Sequence, residues 1–173
     1  MGHAAISLGS SLGDRIGLIE QAIGAIDKLK QTRVLAASSL YETPPVGGKA
    51  QNKFINACVL LDTMLSPLIL ITALQKIEHQ MGRNRQERWA DRRIDLDLLL
   101  YDELVIRDQN CILPHPEMTQ RAFVLLPLAE IAPHMKHPVT GQTIAELANA
   151  LPRAEVDSIK RFSQKSSESV PRR

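Results

Sequence analysis

Apolar and polar residues alternate along this chain with a period that switches between two and about 3.6, and the switches predict its elements. Ala4-Ala5-Ile6-Ser7-Leu8 reads as a first strand ending at Gly9-Ser10-Ser11-Leu12-Gly13-Asp14. Asp14 suits the N-cap of a helix whose stripe is Ile16, Ile19, Ile23 and Ile26. A second strand is expected over 33–42, closed by Thr43-Pro44-Pro45-Val46-Gly47-Gly48, where two prolines and two glycines demand a turn and a mobile loop. Phe54 to Asp62 is a third strand. Ser66-Pro67 opens a second helix as N-cap and N1, with Leu70, Ile71, Leu74, Ile77 and Met81 inward. Period two then returns: Ile94, Leu96, Leu98 and Leu100 share one face, Asp95 and Asp97 the other. Tyr101 to Leu104 turns into a short strand at Val105-Ile106, and helices are expected near 119–131 and 143–150.

The order β-α-β-β-α-β through residue 100 is the ferredoxin-like split pattern. It predicts an α+β fold: a mostly antiparallel sheet, helices packed on it, and an additional C-terminal strand and helices. With 173 residues, one domain over 1–162 is expected. Residues 163–173 have no apolar periodicity and read as a flexible tail.

Composition narrows the class without naming an activity. Apolar residues make up 44% of the chain and charged residues 23%, as in ordinary globular proteins. The net charge of +2 is uneven: residues 152–173 carry six Lys/Arg against three Asp/Glu, which leaves 1–151 at −1. Nucleic acid is therefore a poor partner. Cys58 and Cys111 lack metal or disulfide-framework spacing, and Cys58 lies in an apolar run. No signal peptide or apolar run of membrane length is visible, so the cytoplasm is the expected compartment.

The candidate chemistry lies in Asp95-Leu96-Asp97, behind a loop with five arginines, Arg83, Arg85, Arg88, Arg92 and Arg93. Same-face neighbours on a strand stand roughly 6–7 Å apart, a spacing from which two carboxylates can grip two metal ions. Few, hard oxygen ligands suit Mg²⁺, which takes its other ligands from phosphates and water. The arginines supply charge for a polyphosphate. A D-x-D on a strand is equally compatible with a solvated polar face or with carboxylates paired to those arginines. Neither G-x-x-x-x-G-K-[ST] nor G-x-G-x-x-G occurs, so phosphates must be held by side chains and metal.

Several motifs follow one another in order: Ser10-Ser11-Leu12-Gly13-Asp14, Tyr41-Glu42-Thr43-Pro44-Pro45, Phe54-Ile55-Asn56, Gly82-Arg83, Arg88-Trp89, Arg92-Arg93-Ile94-Asp95-Leu96-Asp97, Leu113-Pro114-His115-Pro116 and Arg121-Ala122-Phe123-Val124-Leu125-Leu126-Pro127-Leu128. Over about residues 4–150 the chain resembles the 6-hydroxymethyl-7,8-dihydropterin pyrophosphokinase family of folate biosynthesis. The resemblance implies an ATP-dependent diphosphotransferase: the pterin's hydroxymethyl oxygen attacks the β-phosphorus and AMP leaves. Asp95 and Asp97 would hold two Mg²⁺ ions. Arg83 and Arg92 would be catalytic. Glu78, Arg85, Arg88, Trp89, His115 and Arg121 would bind ATP. Thr43, Pro45, Val46, Phe54, Asn56 and Phe123 would bind the pterin, with the two phenylalanines stacking on it and Asn56 reading its edge. Read from the residues alone, Glu78 also fits a helix-face salt bridge, His115 a capping bond, and both phenylalanines the core.

The chain departs from the family's common pattern in three places. Ser11 replaces Asn in Ser-Asn-Leu-Gly, which puts a hydrogen bond of the first loop in question. Ala90-Asp91 replaces Gly-Pro in Trp-Gly-Pro-Arg, and Gln86 stands where some members carry a lysine. A monomer with ATP and the pterin as partners, and no nucleic acid or membrane, is expected. Two other functions compete. A metal-dependent nucleotide hydrolase would use the carboxylates and arginines but leave Asn56 unexplained. A ferredoxin-like RNA-binding module would need a basic sheet face, where this chain has aspartates.

Overall fold

The computed structural model describes residues 1–45, 50–82 and 91–162. Strands β1 (Gly2–Ser10), β2 (Thr32–Ala37), β3 (Leu40–Thr43), β4 (Phe54–Thr63) and β5 (Asp95–Tyr101) alternate with helices α1 (Arg15–Asp27) and α2 (Pro67–Gln80). Beyond them come the hairpin β6 (Ile106–Asp108) and β7 (Cys111–Leu113), helices α3 (Ala122–Ile131), α4 (Ile144–Asn149) and α5 (Arg153–Asp157), and strand β8 (Lys160–Phe162). The main sheet runs β5-β1-β4-β3-β8, with β2 also on β4, and every ladder is antiparallel. This is the expected ferredoxin-like order. Among the described residues no helix is long and apolar enough to cross a membrane.

The sheet is covered on both faces. Ala4, Ile6, Leu8, Ile55, Ala57, Val59 and Leu61 meet α1 and α2 in one core. Ala5, Cys58, Leu99 and Leu100 meet Val124, Leu125 and Leu128 of α3, with α4 beside them, in a second. Asp14 caps α1 by accepting the Gly17 N–H at 3.1 Å. Ser66 precedes Pro67 as expected but makes no side-chain cap bond. The buried stripe of α1 is Leu18, Ile19, Ala22 and Ile26, with Ile23 partly buried. Ile16, expected on that stripe, is 39% exposed, because at about 100° per residue it falls outside the arc spanned by Leu18, Ile19, Ala22 and Ile26.

Two strand expectations are corrected by pairing. The strand predicted over 33–42 is broken at Ser38-Ser39. The Ser38 hydroxyl accepts the Cys58 N–H at 2.9 Å, while the Ser39 N–H and hydroxyl turn to Glu130 of α3. In β5 the predicted alternation holds only to Leu98. The register on β1 slips between Ala5 and Ile6, so Ile6 faces Leu98 and Ala5 faces Leu100. The extra residue, Leu99, moves Leu100 into the second core, opposite the face expected for it. The short strand expected at Val105-Ile106 begins at Ile106 and pairs with β7 outside the main sheet. The helix expected from 119 is split: a 3₁₀ turn at Met118–Gln120, then α3, with extended Arg121 as its N-cap. The tail at 163–173 lies outside the described residues.

Candidate active site

One row of paired residues crosses the face of the sheet opposite α1 and α2. Asp95 of β5 stands across from Gly9 of β1, Gly9 from Asn56 of β4, and Asn56 from Tyr41 of β3. The adjacent row on that face is Asp97, Ser7 and Cys58. Directly paired side chains point the same way. The two carboxylates and Asn56 therefore share one surface, two strands apart.

Arg92 enters this surface from the loop before β5. Its Nη1 donates to Asp95 Oδ2 at 3.1 Å, and both side chains are largely shielded. Its backbone is fastened to the first loop: the Arg92 N–H donates to Ser11 Oγ at 2.8 Å, and its carbonyl accepts from Ser11 at 2.8 Å and Leu12 at 3.1 Å. The substituted Ser11 thus does make a bond at this loop. Arg93 lies across Gly13 and Gly82 and donates through Nε to the Met81 carbonyl at 3.2 Å. Both glycines have positive φ, so a side chain at either would strain the backbone, and at Gly13 it would also crowd the Arg93 guanidinium.

His115 and Arg121 approach the carboxylates from the other side. The His115 N–H donates to the Leu99 carbonyl at 2.9 Å, and its Nδ1 accepts the Glu117 N–H at 3.2 Å. Burial lowers its pKa to about 4, with Arg121 acting in the same direction against the pull of Asp95. The ring is neutral at pH 7 and keeps its proton on Nε2, a donor without charge. Arg121 pairs with Glu117 and lies 5.5 Å from the centre of the Phe123 ring. Burial pulls its pKa down, opposed by the charges of Asp97 and then Asp95. Glu78 is 1% exposed, and its Oε1 accepts the Leu96 N–H at 2.9 Å, on the strand edge between the two aspartates.

At the far end of the row, Asn56 is 6% exposed and donates through Nδ2 to Thr43 Oγ1 at 2.8 Å. A Cβ on Gly9 would fall 2.8 Å from Asn56 Oδ1 and 3.7 Å from Phe54 Cδ1. Glycine is what lets that amide and ring lie over β1. Its signal was present in the sequence, since a glycine inside a strand marks a close approach, yet reading Gly9 as the strand's end missed it. A cavity of about 410 Å³ opens beside Thr43, Arg121 and Phe123, walled on its other side by Glu155, Ser158 and Ile159. Phe123 borders that cavity; Phe54 belongs with Asn56 and Gly9. Pro45 is exposed, and its neighbour Pro44 lines the cavity. Val46, Arg83, Arg85, Arg88 and Trp89 lie outside the described residues.

Known proteins share this sequence pattern and this fold. The sequence profile of 7,8-dihydro-6-hydroxymethylpterin-pyrophosphokinase matches residues 5–133. The chain is 42% identical over 147 residues to a 2-amino-4-hydroxy-6-hydroxymethyldihydropteridine pyrophosphokinase of Pseudomonas aeruginosa, spanning 85% of this chain and 90% of that protein. Against a protein of the same name from Methylorubrum extorquens, identity is 39% over 161 residues, 93% of this chain and 99% of the other. The fold is similar to that of Plasmodium falciparum HPPK-DHPS solved with pterin and p-hydroxybenzoate, at a TM-score of 0.71 and 19% identity. That likeness covers 92% of this chain and 45% of the solved one, so the chain spans under half its length.

Proposed function

The chain belongs to the 7,8-dihydro-6-hydroxymethylpterin-pyrophosphokinase family, and from that premise we propose how it transfers pyrophosphate from ATP to 6-hydroxymethyl-7,8-dihydropterin. The observation that carries the reading is the single cross-strand row Asp95–Gly9–Asn56. It sets Asp95, with Asp97 beside it in the next row, at one end and an amide recess at the other, across one strand. A polyphosphate at the first end and a flat heterocycle at the second would meet between them.

Asp95 and Asp97 fit Mg²⁺: they are hard, adjacent oxygen donors on one strand face. Among the described residues no group of three or more His, Cys, Asp or Glu could hold a metal, so phosphates and water would complete the shell. Asp95 and Asp97 would hold two such ions, whose positive charge and Lewis acidity would offset the charge of the triphosphate. Arg92, fixed at its backbone, offers its guanidinium to charge developing on the transferred group, and Arg83 would do so with it. His115 donates through Nε2 to ATP without adding charge. Glu78, Arg121, Arg85, Arg88 and Trp89 complete the nucleotide site in this reading. Asn56 and the Thr43–Val46 segment, Pro45 included, recognise the pterin edge, with Phe54 and Phe123 on its faces. The hydroxymethyl oxygen loses its proton to water and forms a bond to the β-phosphorus, while the bond from the β-phosphorus to the oxygen bridging to the α-phosphorus breaks, giving pterin diphosphate and AMP. The active unit is a monomer in the cytoplasm.

Incubating the protein with ATP, Mg²⁺ and the pterin and following products by phosphorus NMR tests this. AMP that forms only with the pterin is expected. AMP or ADP formed without it would favour the hydrolase reading.

A further inference from the structure

We propose that Asp91 is a positioning residue that couples the pterin side of the site to Arg92. The inference rests on the functional reading above. The Asp91 carboxylate receives two backbone N–H groups from the segment leading into β4: Asn52 donates to Oδ1 at 3.0 Å, and Gln51 lies 3.3 Å from both oxygens. Phe54, the first residue of β4, follows two positions after Asn52. Arg92 follows Asp91 directly and is held by Ser11 and Leu12 of the loop after β1. Three loops therefore meet at two consecutive residues. A shift of segment 50–53 must be transmitted to the backbone that carries the catalytic guanidinium.

The chemistry of position 91 makes this link particular to the chain. Where the family commonly has proline, no side-chain acceptor is present; an aspartate supplies two anionic oxygens, and hydrogen bonds to a charged acceptor are roughly twice as strong as neutral ones. Arg15 secures the same segment from α1, donating to the Lys53 carbonyl at 2.8 Å and to Glu42 at 3.3 Å. Among the described residues Arg15 makes no hydrogen bond to Arg92. Removing Asp91 therefore leaves segment 50–53 held by Arg15 while deleting its hydrogen bonds to the residue that precedes Arg92.

Coupling between sites is reciprocal and is read as a ratio of affinities. The dissociation constant of 6-hydroxymethyl-7,8-dihydropterin is measured by titration with and without a non-hydrolysable ATP analogue and Mg²⁺. For the unmodified protein the ratio should lie in the range of about 5 to 150 that couplings of this kind span. Asp91→Ala should bring it within about twofold of unity and lower kcat about tenfold, with pterin affinity in the absence of nucleotide changed less than about threefold. Asp91→Pro, which carries the common family residue and no side-chain acceptor, should do the same and decides the matter if the alanine variant unfolds. A purely structural aspartate would lower the melting temperature and weaken both ligands equally, leaving the ratio intact; that result overturns the proposal. So does a ratio of one in the unmodified protein. An unmodified protein that forms no pterin diphosphate overturns the functional reading and this inference with it. An active protein whose variants keep its ratio overturns the inference alone.

Discussion

The two faces of the sheet obey different rules. Under α1 and α2 the inward positions of β1, β4 and β5 are apolar and buried from Ala4, Ile6 and Leu8 to Leu96 and Leu98, with buried Ser10 and Thr63 as the polar exceptions at strand ends. The opposite face is apolar only where α3 covers it. Cys58 Sγ lies 3.6 Å from the Val124 carbonyl there, and Ala5, Leu99 and Leu100 complete that floor. One step beyond the N-terminal turn of α3 the same face carries Asp95, Asp97 and Asn56. The helix begins at Ala122 because Arg121 is extended, so the cover stops where the polar row starts. A continuous core and a site share one sheet because the second face is roofed over only part of its length. Polar groups tolerated there must find hydrogen bonds, ions or substrate.

That division predicts variants that separate chemistry from stability. Asp95→Ala or Asp97→Ala on the polar row should lower kcat by at least about 10²–10³-fold, the scale of losing one preorganised electrostatic group. The apolar face of β5 is untouched, so the melting curve should stay close to that of the unmodified protein. Near-normal turnover in either variant would remove the carboxylate pair from the mechanism.

Arg92→Ala should act next most strongly, lowering kcat about a hundredfold while Mg-ATP affinity moves less than about threefold. A guanidinium that meets its charge only in the transition state behaves this way. Equal losses in kcat and in ATP affinity would make Arg92 a ground-state ligand instead.

Position 55/56 compares the two faces within one dipeptide. Asn56→Ala should weaken pterin binding by about 1–3 kcal/mol and leave Mg-ATP binding unchanged, because deleting a buried amide strands the groups it satisfied. Its neighbour Ile55 is fully buried under α1 and α2. Ile55→Val should cost about 0.5–1.5 kcal/mol of stability and no pterin affinity. Calorimetric titration beside denaturant unfolding reads both; equal loss of ATP and pterin binding in the Asn56 variant would assign that residue to the framework.

The same contrast explains how much of the molecule was legible in its sequence. Ile94, Leu96 and Leu98 opposite Asp95 and Asp97 were readable because period two is a local property. Leu100 was misplaced because the register slip at Leu99 depends on how β1 pairs with β5. The break at Ser38-Ser39 answers to Glu130, 91 residues away. Gly9 looked like punctuation, and only the placement of Asn56 and Phe54 over it reveals a requirement for space. Ser11 and Asp91 stood out as departures from the family, but their partners come from other loops. Local pattern carried the elements and the charged pair; long-range pairing carried the recess and the loop junction.

The smallest expected effect belongs to the roofed half of the second face. Glu130 of α3 accepts from the Tyr41 hydroxyl at 2.6 Å, from the Ser39 N–H at 3.0 Å and hydroxyl at 2.8 Å, and from Arg161 of β8 at 3.3 Å. Burial alone would raise its pKa, but these hydrogen bonds and the Arg161 charge outweigh it and hold the carboxyl below its ordinary value. Burial and the bond to Glu130 push the Tyr41 hydroxyl up, so it remains a donor throughout the ordinary pH range. A carboxyl with a depressed folded pKa contributes stability above its unfolded pKa of about 4.3 and loses it as pH falls through the folded value. Glu130→Gln should therefore be less stable than the unmodified protein at pH 7, by under about 1 kcal/mol given partial solvent screening. The gap should close as the pH is taken down from 5 towards 3. Turnover at pH 7 should be unchanged, since Glu130 touches neither the carboxylate pair nor Asn56. Denaturant unfolding at several pH values checks the sign, and a gap that widens in acid would show that the charge of Glu130 is not what holds α3 to β3 and β8.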